Sequence, residues 1–435
     1  MDNYCNSLLS SLVFLFLRNN QILYKLQLRD YQVELSDKAT AILKQYGLVY
    51  LALEPRVGKT LTAFATAHKF GAKKVLFVTK KKAIDDIIAQ AKKLGLDLEI
   101  YVTNYEQLHN VNDEFDLVII DEAHSIGAFP TPSLRAKELK RICNGKPIIF
   151  LSGTPTPESF SQIFHQTWVS SYGPFKDYKN FYGWAKDYVD IRKKYLYGKT
   201  INDYSFAKRE LIEEKTNHLF LAFTQEEAGF TELVKENVLY VKMEDNTYKF
   251  AERLRIDKVI TNKEGKTVLG DTAVKLMNKL HQIYSGTVIV DAPERYSKVF
   301  DYTKAEFIKQ YFAGKKIAIF YKFTAELAAI KWTMGKCYED PTEFNNASDG
   351  CFISQIVSGR EGVNLSTADA LVFYNIDFSA TSYWQSRARI QTKDRVKEAQ
   401  IYWIFSEGGI EDKIYKAVMD KKDYTLDYFR KDFKL

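Results

Sequence analysis

The sequence is poor in the residues that mark fibrous, disulfide-rich and membrane proteins. Glycine (21) and proline (9) are scarce among 435 residues, which excludes a collagen-like or low-complexity chain. No run of about 18 apolar residues occurs, so no transmembrane helix is expected. The cysteines form no CxxC pair and lie far apart in the sequence, at Cys5, Cys143, Cys337 and Cys351. Neither a zinc ribbon nor a disulfide framework is therefore predicted, which is typical of a reducing cytoplasm.

The first 26 residues form an apolar extension. Residues 8–17 are nearly all apolar and resemble the core of a signal peptide. Asp2 precedes them, however, and neither a basic segment nor a small-residue cleavage site accompanies them. We expect a helix packed on the first domain.

The chain has the composition of a large globular protein. Hydrophobic residues make up 46% of the sequence and charged residues 27%, which excludes global disorder. At about 150 residues per domain, the length allows two or three domains. Lys and Arg exceed Asp and Glu by 62 to 55, a net charge of +7. This balance is compatible with a polyanionic partner, although only a clustered basic patch would indicate one.

Two series of short apolar runs, separated by helix-like stretches, predict two α/β domains. Runs of this kind suit strands that are buried on both faces of a parallel sheet. The first series comprises residues 49–53, 75–79, 100–103, 117–121 and 148–152. The second comprises residues 317–321, 352–357, 370–374 and 401–405. We predict two doubly wound lobes at 27–165 and 290–435, with a mostly helical insertion or bridge at 166–289.

A phosphate-binding loop is predicted where the first apolar run ends. Gly58, Lys59 and Thr60 follow this run and precede a helical pattern, as a phosphate loop requires. Backbone N–H groups and a helix N-terminus attract phosphate. Lys59 would reach the β- and γ-phosphates, and Thr60 would place its hydroxyl on Mg²⁺. Leu53 occupies the position of the first glycine of the usual pattern, so an ordinary helix start with an exposed lysine is the alternative.

An acidic pair supports this interpretation. Asp121 and Glu122 follow the run at 117–121 and precede Ala123 and His124. A carboxylate at the end of a buried strand near a phosphate loop can hold Mg²⁺. Its neighbour can orient or deprotonate the attacking water. The alternative is a surface acidic pair that caps a helix.

Together these motifs resemble those of superfamily 2 helicases. The GKT sequence, the DEAH sequence and the Ser152-Gly153-Thr154-Pro155 sequence occur in the order of motifs I, II and III. The segment 28–32 resembles the upstream element whose glutamine, here Gln32, reads adenine. The loop is closest to that of Swi/Snf-type translocases and their phage-encoded relatives, which commonly carry glycine where Arg56 stands.

The second lobe carries further resemblances. Residues 358–365 resemble motif V, and residues 383–392 resemble motif VI, which supplies an arginine finger to the ATP site. The second arginine of motif VI is replaced by Thr392, so the finger could be Arg387, Arg389 or Arg395, and we favour Arg389. The resemblance implies nucleotide contacts from a set that draws on both lobes: Arg29, Gln32, Gly58, Lys59, Thr60, Gly362 and Gln385. It also implies that His124, Ser152 and Thr154 couple the ATP site to the polymer site rather than bind metal.

A motor of this class grips a nucleic-acid backbone, mostly by electrostatic contacts. Motif Ia is represented by Thr79, Lys80 and Lys81, for which a solvated basic loop is the alternative. In motif Ib, Asn104 and Tyr105 are candidates, although Tyr105 could equally be a packing residue. Ser358 is a candidate in the second lobe.

Aromatic and basic residues alternate at 175–199, as on nucleic-acid surfaces. Helical spacing of an aromatic stripe at positions 181, 184, 188, 191 and 195 favours a buried helix face instead.

The resemblance implies an ATP-dependent DNA helicase or translocase that uses ATP and Mg²⁺. ATP would bind between the lobes, whose closure and opening would move the protein along duplex or branched DNA. Analogy favours a phage enzyme of replication, recombination or repair in the host cytoplasm, with possible accessory proteins of those processes. Three alternatives are an RNA helicase, a translocase subunit of a larger restriction-type complex, and a nucleotide-gated clamp that does not move.

Overall fold

The computed structural model describes most of the chain. The described residues are 27–111, 114–196, 199–230, 234–359, 363–365, 367–377, 386–387, 389–390, 398–412 and 414–415. The predicted N-terminal extension lies outside these ranges. Within them, every helix is too short or too polar to cross a bilayer. Internal contacts divide the chain into two compact units, with the division after Phe230. The boundaries at 165/166 and 289/290 stay predictions.

The first unit is built on a six-stranded parallel sheet with the order β3-β2-β4-β5-β1-β8. Its strands are β1 (Leu48–Leu53), β2 (Lys74–Thr79), β3 (Glu99–Asn104), β4 (Leu117–Asp121), β5 (Ile148–Leu151) and β8 (Phe220–Phe223). Its helices are α1 (Asp30–Tyr46), α2 (Lys59–Phe70), α3 (Ile84–Leu94), α4 (Leu134–Ile142), α5 (Gln162–Trp168), α6 (Phe181–Tyr188) and α7 (Arg209–Thr216). The first five strands confirm the first predicted series.

Helices cover this sheet on both faces. Along β1, successive side chains alternate between two hydrophobic cores, so that Tyr50 lies in one and Leu51 in the other. Helices α1, α2 and α3 pack against the core that holds Leu51, and α4, α5 and α6 pack against the core that holds Tyr50. Every residue of β1 is buried, which explains its continuous apolar sequence.

Only the first part of the predicted aromatic stripe lies on a helix. Phe181 and Trp184 lie on α6 and are 1% and 0% exposed, which confirms the core interpretation for these two residues. The helix ends at Tyr188, and an antiparallel hairpin follows, formed by β6 (Arg192–Leu196) and β7 (Lys199–Asp203). A single helix over 181–195 is therefore wrong. Backbone hydrogen bonds join Asp190 to Phe206 and Lys208 to Tyr188. These bonds replace the helical bonds that would continue α6.

The second unit has its own six-stranded parallel sheet, with the order β15-β16-β14-β17-β18-β9. The strands are β9 (Val234–Val241), β14 (Ile317–Tyr321), β15 (Cys337–Tyr338), β16 (Cys351–Gln355), β17 (Ala370–Phe373) and β18 (Ala399–Ser406). Its faces are covered by α10 (Thr303–Tyr311), α11 (Thr324–Met334), α12 (Pro341–Asn346) and α13 (Ile356–Gly359). The two sheets confirm two RecA-like, doubly wound α/β lobes.

A smaller cluster lies between β9 and β14 in the chain. It contains α8 (Asp245–Asp257) and α9 (Ala273–Tyr284), with hairpins β10 (Val259–Thr261) with β11 (Thr267–Leu269) and β12 (Thr287–Val290) with β13 (Tyr296–Val299). The cluster has a hydrophobic core of its own, centred on Leu254 and Ile283. The segment 166–289 thus mixes helices with short strands, and it supplies an edge strand to each sheet, β8 and β9.

Candidate functional site

Three loops meet at one edge of the first sheet. Strand β5 lies between β4 and β1, and its Leu151 pairs with Asp121 on one side and Leu51 on the other. Parallel strands end at the same edge, so the segments after β1, β4 and β5 must lie together there. These segments carry the predicted motifs I, II and III.

Lys59 is the first residue of α2 and points back across the loop. Its Nζ donates a hydrogen bond of 3.0 Å to the carbonyl oxygen of Leu53. A methyl group placed on Gly153 would lie 3.6 Å from this Nζ, so motif III approaches motif I closely. Thr60 follows in the first turn of α2. The ammonium group, the hydroxyl and the N-terminus of a 12-residue helix together suit a polyphosphate.

The loop before α2 has a left-handed backbone at two positions. Gly58 has φ of 87°, and Arg56 has φ of 70°. This conformation costs a non-glycine residue about 1 kcal/mol, so glycine would suit the position of Arg56 better. Gly58 has a second constraint, since a Cβ atom there would collide with Nε2 of Gln32.

We expect Gly58→Ala to abolish ATP binding, because the added methyl group must displace Gln32 or the loop. Gly71 ends the same helix with φ of 97° and has open space around it. Gly71→Ala is therefore a matched control that carries only the backbone penalty of about 1 kcal/mol. Binding of a fluorescent ATP analogue and urea unfolding measure the two effects. Equal binding by both variants would contradict the steric role of Gly58.

The segment before α1 braces the phosphate loop. The Tyr31 hydroxyl donates to the carbonyl of Val57 (3.2 Å) and accepts from Nη1 of Arg29 (2.9 Å). Gln32 is 3% exposed. Its Nε2 donates to the carbonyl of Gly58 (3.4 Å), and its Oε1 accepts from the backbone N–H of Arg29 (2.9 Å). Arg29 and Gln32 are thus both brought to the loop, and contact between Gln32 and adenine stays a prediction.

Asp121 is a half-buried carboxylate at the end of β4. Its Oδ2 accepts from the Thr79 hydroxyl (2.8 Å), and its Oδ1 accepts from the N–H of Glu122 (3.0 Å). Burial, reinforced by the negative charge of Glu122, raises the pKa of Asp121 from 3.8 to about 6, against the opposing effects of Thr79 and Lys59. The charge of Lys59 does not offset the effect of burial, and a cation bound there would further stabilise the ionised carboxylate.

This raised pKa predicts a pH-dependent stability. Between pH values of about 4 and 6 the folded protein holds the proton of Asp121 more tightly than the unfolded chain, so stability falls as the group ionises. We expect Asp121→Asn to raise the free energy of unfolding at pH 7 by up to about 3 kcal/mol, and the gain to shrink as the pH falls below about 6. Asp97, whose side chain is 90% exposed, gives the control variant Asp97→Asn. Urea unfolding across this pH range tests the prediction, and a gain independent of pH would contradict it.

Glu122 and His124 connect the acidic pair to motif III. Glu122 has a left-handed backbone, with φ of 50°, which sets its carboxylate beside His124. Nδ1 of His124 lies 3.3 Å from Oε2 of Glu122 and 3.0 Å from Oγ of Ser152. The Ser152 hydroxyl in turn accepts from the N–H of Thr154 (3.1 Å). This chain of contacts provides a physical path for the predicted coupling role of His124, Ser152 and Thr154.

The predicted polymer contacts of the first unit divide into buried and exposed residues. Thr79 is 1% exposed and bonds to Asp121, and the Tyr105 hydroxyl donates to the carbonyl of Asp121. Asn104 is also buried, and its side chain accepts from the N–H of Glu106. Burial of Thr79, Asn104 and Tyr105 favours a packing role for their side chains, and their contact with a polymer stays a prediction. Lys80 and Lys81 lie at the turn after β2, where Lys81 is exposed.

The candidates of the second unit are only partly described. Ser358 is half-buried on α13. Nε of Arg387 forms an ion pair of 2.8 Å with Oε1 of Glu236 on β9. The carbonyl of Arg389 accepts from the N–H of Leu365, and Arg389 is half-buried. Gly362 and Gln385, like Arg395, lie outside the described residues.

One residue that supports the phosphate loop was not predicted from the sequence. Gln225 follows strand β8, and its Nε2 donates to the carbonyl of Pro55 (2.7 Å). Its N–H donates to Oε2 of Glu54 (2.7 Å). No short-range pattern marks a residue 170 positions downstream. Tyr31 was also missed, although it lies inside the segment that resembles a family element.

Comparison with known proteins supports the motif analysis. No protein-family model matches the sequence. The CHD3-type chromatin-remodeling factor PICKLE of Arabidopsis thaliana is 21% identical over 403 residues, which cover 83% of this chain and 27% of that protein. The chromatin-remodeling ATPase INO80 of Gibberella zeae is 32% identical over 72 residues, 17% of this chain and 4% of that protein. The chain is thus similar in sequence to chromatin-remodelling factors and ATPases.

Among solved structures, the Sulfolobus solfataricus SWI2/SNF2 ATPase core in complex with dsDNA aligns over 93% of both chains, with 18% identity and a TM-score of 0.41. These relatives are much longer than this chain, which spans 27% of PICKLE and 4% of INO80.

Proposed function

We propose that the protein is a DNA-stimulated ATPase of SWI2/SNF2 type that moves along duplex or branched DNA. The observation that carries this proposal is the meeting of Lys59, Asp121 and Ser152 at the ends of three neighbouring strands. A phosphate loop, a strand-end carboxylate pair and a serine linked through His124 form the set of groups that nucleotide hydrolysis needs. The relatedness to chromatin-remodelling ATPases favours DNA as the polymer.

Mg²⁺ fits the residues present. Thr60 offers a hydroxyl and Asp121 a carboxylate, which are the hard oxygen ligands that Mg²⁺ prefers. Burial raises the pKa of Asp121, so a cation beside this carboxylate would stabilise its ionised form. A bound Mg²⁺ would neutralise charge on the phosphates. Lys59 would orient the β- and γ-phosphates, and Glu122 would take a proton from the attacking water.

From the second unit, we propose Arg389 as the arginine finger. The choice of Arg389 rests on its position in the segment that resembles motif VI, and Arg387 forms an ion pair with Glu236 within its own unit. For polymer contacts, Lys80, Lys81 and Ser358 remain the proposed residues. The resemblance further predicts a phage enzyme of replication, recombination or repair that acts in the host cytoplasm with accessory proteins.

The ATPase rate against a panel of single-stranded, duplex and forked DNA and RNA tests the proposal. We expect duplex or forked DNA to stimulate hydrolysis most. The stimulation should be weaker at the higher of two salt concentrations, because protein contacts with phosphate release counterions. Stronger stimulation by RNA would identify an RNA helicase instead. A rate that no nucleic acid changes would contradict the motor assignment.

A further inference from the structure

Two thiols far apart in the sequence meet at the edge of the second sheet. Strand β15 runs parallel to β16, and the register pairs Cys337 directly with Cys351. Directly paired residues project to the same face of a sheet. Their Sγ atoms lie 3.2 Å apart. The short distance therefore follows from the strand pairing and not only from the side-chain rotamers.

The backbone geometry is compatible with a covalent bond between these sulfurs. Neighbouring strands lie about 4.8 Å apart, and disulfides join residues whose Cα atoms are about 4.4–6.8 Å apart. Only the sulfur separation has to shorten, to about 2.05 Å. Side-chain rotations supply a movement of this size without separating the strands.

The two thiols differ in access and acidity. Cys337 is half-buried, whereas Cys351 is 1% exposed. A hydrogen bond from the Cys351 thiol, with a smaller effect of the Lys331 ammonium, lowers the pKa of Cys337. Burial raises the pKa of Cys143 to about 12, so that thiol is inert by comparison. Cys337 is accessible enough to react first with an oxidant. Cys351 lies close enough to react with the oxidised sulfur of Cys337.

We propose that Cys337 and Cys351 are a site of reversible disulfide formation. The Cys337 thiolate attacks one oxygen of a peroxide, forms a sulfenic acid and releases the other oxygen as water. The Cys351 sulfur then attacks the sulfenic sulfur, forms the S–S bond and expels a second water. Two thiols lose two electrons and two protons, and the peroxide is reduced to two waters. A dithiol reductant reverses the bond by thiol–disulfide exchange.

A disulfide bond between Cys337 and Cys351 would stabilise the weakly held segment 337–351. Strand β15 has two residues and lies at the sheet edge, and α12 follows it before the chain returns at Cys351. Besides the buried Phe344, ion pairs such as Lys331 with Glu339 hold the segment, and exposed pairs contribute little. A disulfide that closes this short loop should suppress its local opening.

Peptide mapping of the full-length chain without reduction tests the proposal. After brief exposure to hydrogen peroxide, we expect a cross-linked peptide that joins Cys337 and Cys351 and that dithiothreitol removes. Cys143→Ser should keep the cross-link, whereas Cys337→Ser and Cys351→Ser should each lose it. Hydrogen exchange in the segment 337–351 should slow in the oxidised wild type.

Mapping of the wild type alone decides the question if a serine variant does not fold. Free thiols at both positions after oxidation would overturn the proposal. So would a stable sulfinic acid at Cys337, or cross-links that run mainly to Cys5, to Cys143 or between copies of the chain.

Discussion

Lys59→Ala is expected to reduce ATP hydrolysis at least about 100-fold, in line with the loss of one preorganised donor to a transferring phosphoryl group. The Lys59 ammonium bonds to the carbonyl of Leu53 and lowers the pKa of Asp121. Its removal takes away both the phosphate ligand and the positive charge nearest the acidic pair. A coupled-enzyme assay with saturating DNA measures the rate.

The fold should survive this change, because Lys59 is only half-buried at the first turn of α2. Lys69 lies on the same helix and bonds to Asp37 on α1, so Lys69→Ala tests the loss of a lysine outside the site. We expect this variant to hydrolyse ATP at the normal rate. If Lys59→Ala also keeps a normal rate, the phosphate loop is assigned to the wrong residues.

Glu122→Gln should bind ATP but lose about two to four orders of magnitude in hydrolysis. Glutamine has nearly the same shape as glutamate and keeps a polar atom near Nδ1 of His124, which lies 3.3 Å from the carboxylate. The amide, however, does not accept the proton of the attacking water. Equilibrium binding of ATP and single-turnover hydrolysis separate the two steps.

Glu138 on α4 provides the matched control. It is exposed and pairs with Arg141, so Glu138→Gln changes the same atoms away from the site and should leave hydrolysis intact. Ordinary single-turnover hydrolysis by Glu122→Gln would remove Glu122 from the role of general base. Loss of ATP binding would instead assign it a structural role.

The central strands were predictable because their burial is extreme. Strands β1 and β4 are covered on both faces, so their sequences are continuous apolar runs. The edge strand β9 was not predictable in this way. It mixes Lys235 and Glu236 with apolar residues, and its partner β18 lies more than 150 residues downstream. This pairing joins residues that are distant in the sequence, so a local pattern does not predict it.

The same distinction holds for the candidate site. Lys59, Asp121 and Ser152 follow strands that were recognised, and parallel strands deliver such residues to one edge. The groups that hold them were not recognised in these roles. Thr79 was assigned to the polymer but not to its bond with Asp121, and Gln225 follows strand β8, which the prediction did not contain. Cys337 and Cys351 likewise meet only once β15 and β16 pair.

Displacement of a third strand from a DNA triplex tests the central claim most directly, because it requires movement along the duplex. With ATP, the wild-type protein should release the third strand at a rate that rises with ATP concentration. Lys59→Ala should release none. DNA-stimulated hydrolysis by the wild type without any displacement would contradict the motor and indicate a nucleotide-gated clamp.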